Sequence, residues 1–183
     1  WVLEEACRRF ANEPLFADLR VAVNLSPRQF RVRDLHEQIA DILARTGLDP
    51  ARLDLEVTES SMMDNPEAAT RILQGLRDTG VRISIDDFGT GYSSLSFLKR
   101  FPIDCLKVDQ SFVRDVVDDE DAASIARAVI AMGRSLRLTI TAEGVETDEQ
   151  FAFLRDESCH KAQGYLFSRP LEIDALRDWL AAR

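Results

Sequence analysis

From Ile83 to Asp109 the chain reads ISIDDFGTGYSSLSFLKRFPIDCLKVD. An apolar strand, ISI, breaks off at two adjacent acids, Asp86 and Asp87. A glycine-rich turn, FGTGYSS, leads into a short helix, SLSFLKR, and then into a second strand that carries Lys107 among apolar neighbours. Carboxylates side by side at the end of a buried strand repel each other and lose hydration, so they call for a cation. A hard divalent ion such as Mg2+ is the usual one.

The same alternation extends in both directions. Strands are expected over Arg20–Leu25, Leu53–Thr58, Arg82–Asp86, Asp104–Val108, Leu138–Ala142 and Ala162–Phe167. Between them, apolar residues three and four apart mark helices. Leu35, Ile39, Ile42 and Leu43 define one, stopped at Gly47. Ile72, Leu73 and Leu76 define another, opened by Asn65-Pro66 and ended at Gly80. Ile125, Val129, Ile130 and Leu136 define a third. Thr147 and Gln150 read as a capping box for a fourth, and Leu171–Ala182 closes the chain as a last helix.

Six β-then-α units in succession imply a parallel sheet. Near-continuous apolar strands with polar residues at their C-terminal ends favour closure as an α/β barrel of the (β/α)8 TIM type. A doubly wound open sheet is the alternative, weakened because no Gly-x-Gly-x-x-Gly follows the first strand. The count is two strands short of eight. WVLEEACRRF already has helical spacing at Val2, Leu3, Ala6, Cys7 and Phe10, without a capping residue before it. The expectation is a barrel whose first two strands lie upstream of Trp1.

A chain of 183 residues fits one domain with a sizeable core. Its 45% hydrophobic and 30% charged content is that of an ordinary globular protein. No apolar run approaches the roughly 20 residues of a membrane span, and no secretory signal opens the sequence. The net charge of -9 argues against a generic DNA or RNA surface. A small anionic ligand stays compatible if cations neutralise it locally. Cys7, Cys105 and Cys159 match no metal or redox spacing and read as buried thiols of a cytoplasmic protein. His36 and His160 are too isolated to suggest zinc.

Polar residues recur where barrel chemistry sits, at the ends of strands. They are Asn24 in VAVNLS, Glu56 in LDLEVTE, Asp86 and Asp87 in IDDFG, Lys107 in CLKVD, Glu143 in TAEGVE and Gln163 in AQGYLF. Four carboxylates, the amide oxygens of Asn24 and Gln163 and a lysine at one mouth suit one or two Mg2+ or Mn2+ ions. Two such ions, about 3.5–4 Å apart, can lower the pKa of a shared water and steady a phosphorus centre under in-line attack. Burial should lower the pKa of Lys107 and nearby carboxylates should raise it, so the sign stays open. Each residue also has a plainer reading. Asn24 can cap a turn, Glu56 can face outward, Asp86-Asp87 can be a solvated turn, and Lys107 can snorkel to the rim. Glu143 and Glu146 can serve a helix start, and Gln163 can bond only to backbone. Their common position on successive strands is the stronger signal. Gly89-Thr90-Gly91-Tyr92 reads as a βα-loop with glycine-dependent backbone or as a mobile loop over substrate. No Gly-Lys-Ser/Thr follows, so it is not a P-loop.

In this order and spacing, VNLSPRQF, LEVTES, DDFGTGYSSL, LKVDQSFV, AEGVET and QGYLFSRPL make the whole chain similar to the EAL domains of bacteria. The resemblance implies a modified TIM barrel with one strand reversed near its start. It implies hydrolysis of the second messenger cyclic di-GMP to linear pGpG with Mg2+ or Mn2+. Asn24, Glu56 and Asp86 would then bind a first metal, and Asp86, Asp87 and Glu143 a second. Lys107 would act on the attacking water. Glu59 would hold the loop from Asp87 to Ser94, and Asp109, Glu146 and Gln163 would complete the water and substrate shell. Family members often carry upstream sensory or GGDEF domains, through which a parent protein can be membrane-anchored, and many form homodimers.

One departure matters. The name-giving Glu-Ala-Leu segment is missing, and with it a metal-binding glutamate and a nearby phosphate-binding arginine. The expectation is a competent parent enzyme represented here by an N-terminally truncated domain, residues 1–183, with impaired activity. Two rival functions are a non-catalytic cyclic di-GMP receptor and a metal-independent glycoside hydrolase using two acids. The retained acids and Lys107 argue against the receptor, since binding alone needs no metal cage.

Overall fold

The computed structural model describes residues 1–89 and 95–182. Six strands form one parallel sheet in the order β1-β2-β3-β4-β5-β6: β1 (Val21–Leu25), β2 (Leu53–Thr58), β3 (Arg82–Phe88), β4 (Cys105–Val108), β5 (Thr139–Ala142) and β6 (Lys161–Ala162). The helices are α1 (Val2–Asn12), α2 (Pro27–Phe30), α3 (Leu35–Thr46), α4 (Glu59–Met63), α5 (Pro66–Asp78), α6 (Leu95–Leu98), α7 (Gln110–Arg114), α8 (Glu120–Ser135), α9 (Asp148–Asp156) and α10 (Ile173–Ala181). Each strand pairs with the next in sequence, as successive βα units dictate, and the arrangement is that of a partial barrel.

Register separates the two faces of the sheet. Leu25, Val57, Ile85, Leu106 and Ile140 stand side by side across five strands and are essentially inaccessible to solvent. They form the layer against which the helices pack. Side chains alternate along a strand, so Asn24, Glu56, Ser84, Asp86, Lys107 and Thr141 occupy the opposite, inner face. The polar residues picked out along the sequence therefore share one side of the sheet.

Local chemistry explains the helix boundaries. Asn65 accepts from the Ala68 amide and Pro66 occupies the first turn of α5. Gly47 ends α3 at φ +73°, a conformation open to glycine. Thr147 and Gln150 form the expected capping box on α9. The buried face of α8, however, consists of Ala123, Ala126, Val129, Ile130 and Gly133, while Ile125 points to solvent. Small residues let that helix lie close to the sheet, and the apolar spacing alone assigned Ile125 to the wrong side.

Two segments differ from expectation. AQGYLF is not a six-residue strand: β6 ends at Ala162, and the chain then turns, with the amides of Leu166 and Phe167 bonding to Val145 and Gly164 carbonyls. Gly164 explains the turn, because a Cβ there would sit 2.1 Å from the Val145 carbonyl oxygen. Strand β3 runs two residues longer than expected, to Phe88. It does so through a register shift against β4, with Asp87 at φ +53°. Of the loop Gly89-Thr90-Gly91-Tyr92, all but Gly89 lies outside the described residues.

Candidate metal centre

Lys107 organises the inner face. Its Nζ lies 2.7 Å from Glu143, 2.8 Å from Glu56 and 2.9 Å from Asp86, with only 6% of the side chain exposed. Strands β2, β3 and β4 present three of these groups, and the fourth, Glu143, directly follows β5. The lysine does not snorkel to the rim. Burial alone would lower its pKa, but the hydrogen bonds it donates to Glu143, Glu56 and Asp86 and the charge of Glu56 outweigh it. The net shift is upward, so Lys107 is held as an ammonium.

The carboxylates show the reverse balance. Burial raises Glu143 to about 7, with Lys107 pulling it down and the charges of Asp86 and Glu56 pushing it up. Glu56 is raised chiefly by burial as well. Asp87, on the exposed side of the bulge, is raised by partial burial and by the charges of Asp86 and Asp109. Three carboxylates against one ammonium leave a formal charge of −2 when all are ionised, before Asp87 is counted.

On a regular strand Asp86 and Asp87 would point to opposite faces. The left-handed backbone at Asp87, a conformation that aspartate tolerates better than most residues, redirects the second carboxylate. Ligand oxygens of Asp86, Asp87 and Glu143 consequently lie within 4.8 Å of one another. Asp86 Oδ1 is fully buried and pairs with the Lys107 ammonium at 2.9 Å. Convergent carboxylate oxygens that outnumber the one buried ammonium fit a hard divalent cation, whose preferred donors are such oxygens.

The remaining candidates surround this cluster at different distances. Asn24 stands on register with Glu56, one strand outward, with its side chain exposed. Glu59 opens α4 and is buried; its Oε2 accepts from the Gly89 amide at 2.9 Å, tying the end of β3 from behind the cluster. Asp109, Glu146 and Gln163 join Asp87 and Glu143 in lining a cleft of about 290 Å³. Asp109 also caps α7 by accepting from the Ser111 amide. Sequence reading missed Gln110, Gly144 and Tyr165 on the cleft wall. Tyr165, 51% exposed in the turn after β6, was hidden by the expectation of a strand there.

His36 and His160 take no part: His160 Nδ1 accepts from the Ile140 amide. Burial raises all three thiols, Cys7 to about 11, which leaves them protonated. No described helix is long and apolar enough to cross a membrane.

Comparison with known proteins identifies the family. The EAL domain model matches residues 1–170. Cyclic di-GMP phosphodiesterase NbdA of Pseudomonas aeruginosa is 47% identical over 184 residues, covering 100% of this chain and 24% of the relative. The structure of the PaMucR phosphodiesterase in complex with c-di-GMP aligns with a TM-score of 0.91 at 46% identity, over 96% of this chain and 72% of that one. The manganese and cy-diGMP complex of BlrP1 from Klebsiella pneumoniae aligns at 0.79 with 36% identity, over 92% of this chain and 44% of that one. The chain spans about a quarter of the length of the curated relatives it matches. A model match across nearly all its residues, on a fold whose acids converge as described, makes this chain a member of the EAL domain family.

Proposed function

We propose that the chain is the catalytic domain of a metal-dependent phosphodiesterase that hydrolyses cyclic di-GMP to pGpG. One observation carries the reading: carboxylate oxygens of Asp86, Asp87 and Glu143 converge within 4.8 Å of one another, beside the Glu56–Lys107 pair. The names of the relatives, which include cyclic di-GMP phosphodiesterases and c-di-GMP complexes, supply the substrate.

Glu56, Asp86, Asp87 and Glu143, with Asn24 at the edge, would hold one or two Mg2+ or Mn2+ ions. A divalent cation there supplies Lewis acidity toward a phosphoryl oxygen and charge to offset the phosphate. Such an offset is required, because the cleft is walled by Asp87, Asp109, Glu143 and Glu146, and a diester dianion would otherwise be repelled. Lys107 would act on the attacking water and balance charge on the phosphate once one of the three carboxylates that now share its ammonium releases a hydrogen. The water oxygen bonds to phosphorus as the P–O3′ bond breaks. Its proton leaves to the carboxylate cluster, and O3′ gains a proton to give the linear product. Glu59 fixes the end of β3 through Gly89, while Asp109, Glu146 and Gln163 bound the space for nucleotide and water.

The domain is taken as residues 1–183 of a longer cytoplasmic chain. Upstream segments would complete the barrel and add the Glu-Ala-Leu glutamate, sensory or GGDEF domains would precede it, and a homodimer would be its working state. The test is chromatographic detection of pGpG from cyclic di-GMP with the full-length polypeptide. Turnover with Mn2+, none with chelator and none in Glu56→Ala is expected. Tight cyclic di-GMP binding without pGpG would establish a receptor instead. Turnover that persists in chelator would end the metal-dependent reading.

A further inference from the structure

We infer that Gln150 is a positioning residue: its one side-chain amide fixes the Glu143–Glu146 segment against the end of α7 and so aims Glu143 into the metal centre. The inference rests on reading Glu143 as a metal ligand.

Gln150 is 6% exposed. A capping box explains two of its contacts: its amide donates to Thr147 Oγ1 at 3.2 Å, and its Oε1 accepts from the Thr147 amide at 3.1 Å. The other two exceed what capping needs. Oε1 also accepts from the Glu146 amide at 2.7 Å, the shortest of the set. Nε2 donates to the Arg114 carbonyl at 3.0 Å, 36 residues earlier in the chain. That carbonyl ends α7 and is one of the acceptors a helix C-terminus leaves unpaired. The amide can sit only one way round, because a flip would set N–H groups against two N–H donors.

Helix α7 begins at the other side of the same cleft. Asp109 caps it and lines the cleft, and Gln110 packs so closely on Gly144 that a Cβ there would lie 2.6 Å from the Gln110 Cβ. The segment carrying Glu143 is thus pressed against α7 at Gly144 and bolted to it at Glu146 by Gln150. A shift of either end would change the distance between the Glu143 carboxylate and Asp86-Asp87.

Gln150→Glu separates positioning from capping. At pH 8 its carboxylate still accepts from the Glu146 and Thr147 amides, so α9 stays capped, but it faces the Arg114 carbonyl with no hydrogen to give. Mn2+ is titrated calorimetrically into full-length wild type, Gln150→Glu and Gln150→Ala at a temperature where circular dichroism shows each to be folded. A loss of about 10-fold or more in Mn2+ affinity in both variants is expected, the scale seen when residues supporting a metal ligand are removed. Wild-type affinity in Gln150→Glu would overturn the inference and leave Gln150 as a cap. Mn2+ binding by wild type without pGpG formation would defeat the proposed activity yet leave this comparison valid, whereas absence of Mn2+ binding by wild type would overturn both.

Discussion

Lys107→Met removes the ammonium while keeping most of the side-chain volume, and the structure sets what should follow. Each of the three contacts, at 2.7–2.9 Å, carries a gross attraction of about 6 kcal/mol at an effective dielectric constant of about 20. Repulsion among the carboxylates and desolvation of all four groups offset most of this. Taking one partner from a buried ionic cluster leaves uncompensated charge, with a net loss of about 3–5 kcal/mol. In a domain of this size that lowers the unfolding midpoint by about 6–20 °C. The loss depends on pH with a definite sign. Without Lys107, the folded-state pKa values of Glu56 and Glu143 climb further above the unfolded value, so the folded protein binds the extra protons. The penalty is therefore small near the unfolded pKa and grows as pH rises through the folded one. Urea denaturation of wild type and variant at pH 5 and pH 8 reads it directly. Added Mn2+ should recover more stability in the variant than in wild type, since the cation replaces the missing charge. A variant as stable as wild type at pH 8, or a loss equal at both pH values, would refute the reasoning.

Two further outcomes follow from individual residues. Because Glu143 is protonated in part below about 7, Mn2+ affinity measured calorimetrically should increase as pH rises from 6 to 8, with proton release on binding; a flat profile would remove Glu143 from the ligand set. Gly164→Ala would push a methyl group into the Val145 backbone, whose oxygen and nitrogen lie 2.1 and 2.3 Å from the new atom and cannot swing aside. A loss of at least about 2 kcal/mol in thermal denaturation is expected, and a neutral variant would show that the turn after β6 is misdescribed.

The architecture could be read in advance because it depends on local pattern. Strand cores such as VAV and ISI, the Asn65-Pro66 start, the Gly47 stop and the Thr147–Gln150 box are all short-range signals. Strand order followed from the βα alternation, and it carried Glu56, Asp86, Lys107 and Glu143 to one face. What local pattern lacks is relative charge and backbone irregularity. The direction of the Lys107 shift required knowing that three carboxylates, from segments 36–51 residues away in sequence and 21 in the nearest case, surround it. The Asp87 bulge leaves no mark beyond an aspartate that tolerates it. Gln150 looked like a cap because its second partner, Arg114, is remote in sequence. Ile125 and the AQGYLF segment misled because apolar content was taken for burial.

Diffraction at the manganese absorption edge, on crystals of the full-length protein grown with Mn2+, addresses the centre most directly. Anomalous density is expected among Asp86 Oδ1, Asp87 and Glu143, with Glu56 within reach of the same ion or its neighbour. Density only at surface carboxylates, with Lys107 still joined to Glu56, Asp86 and Glu143, would contradict the account.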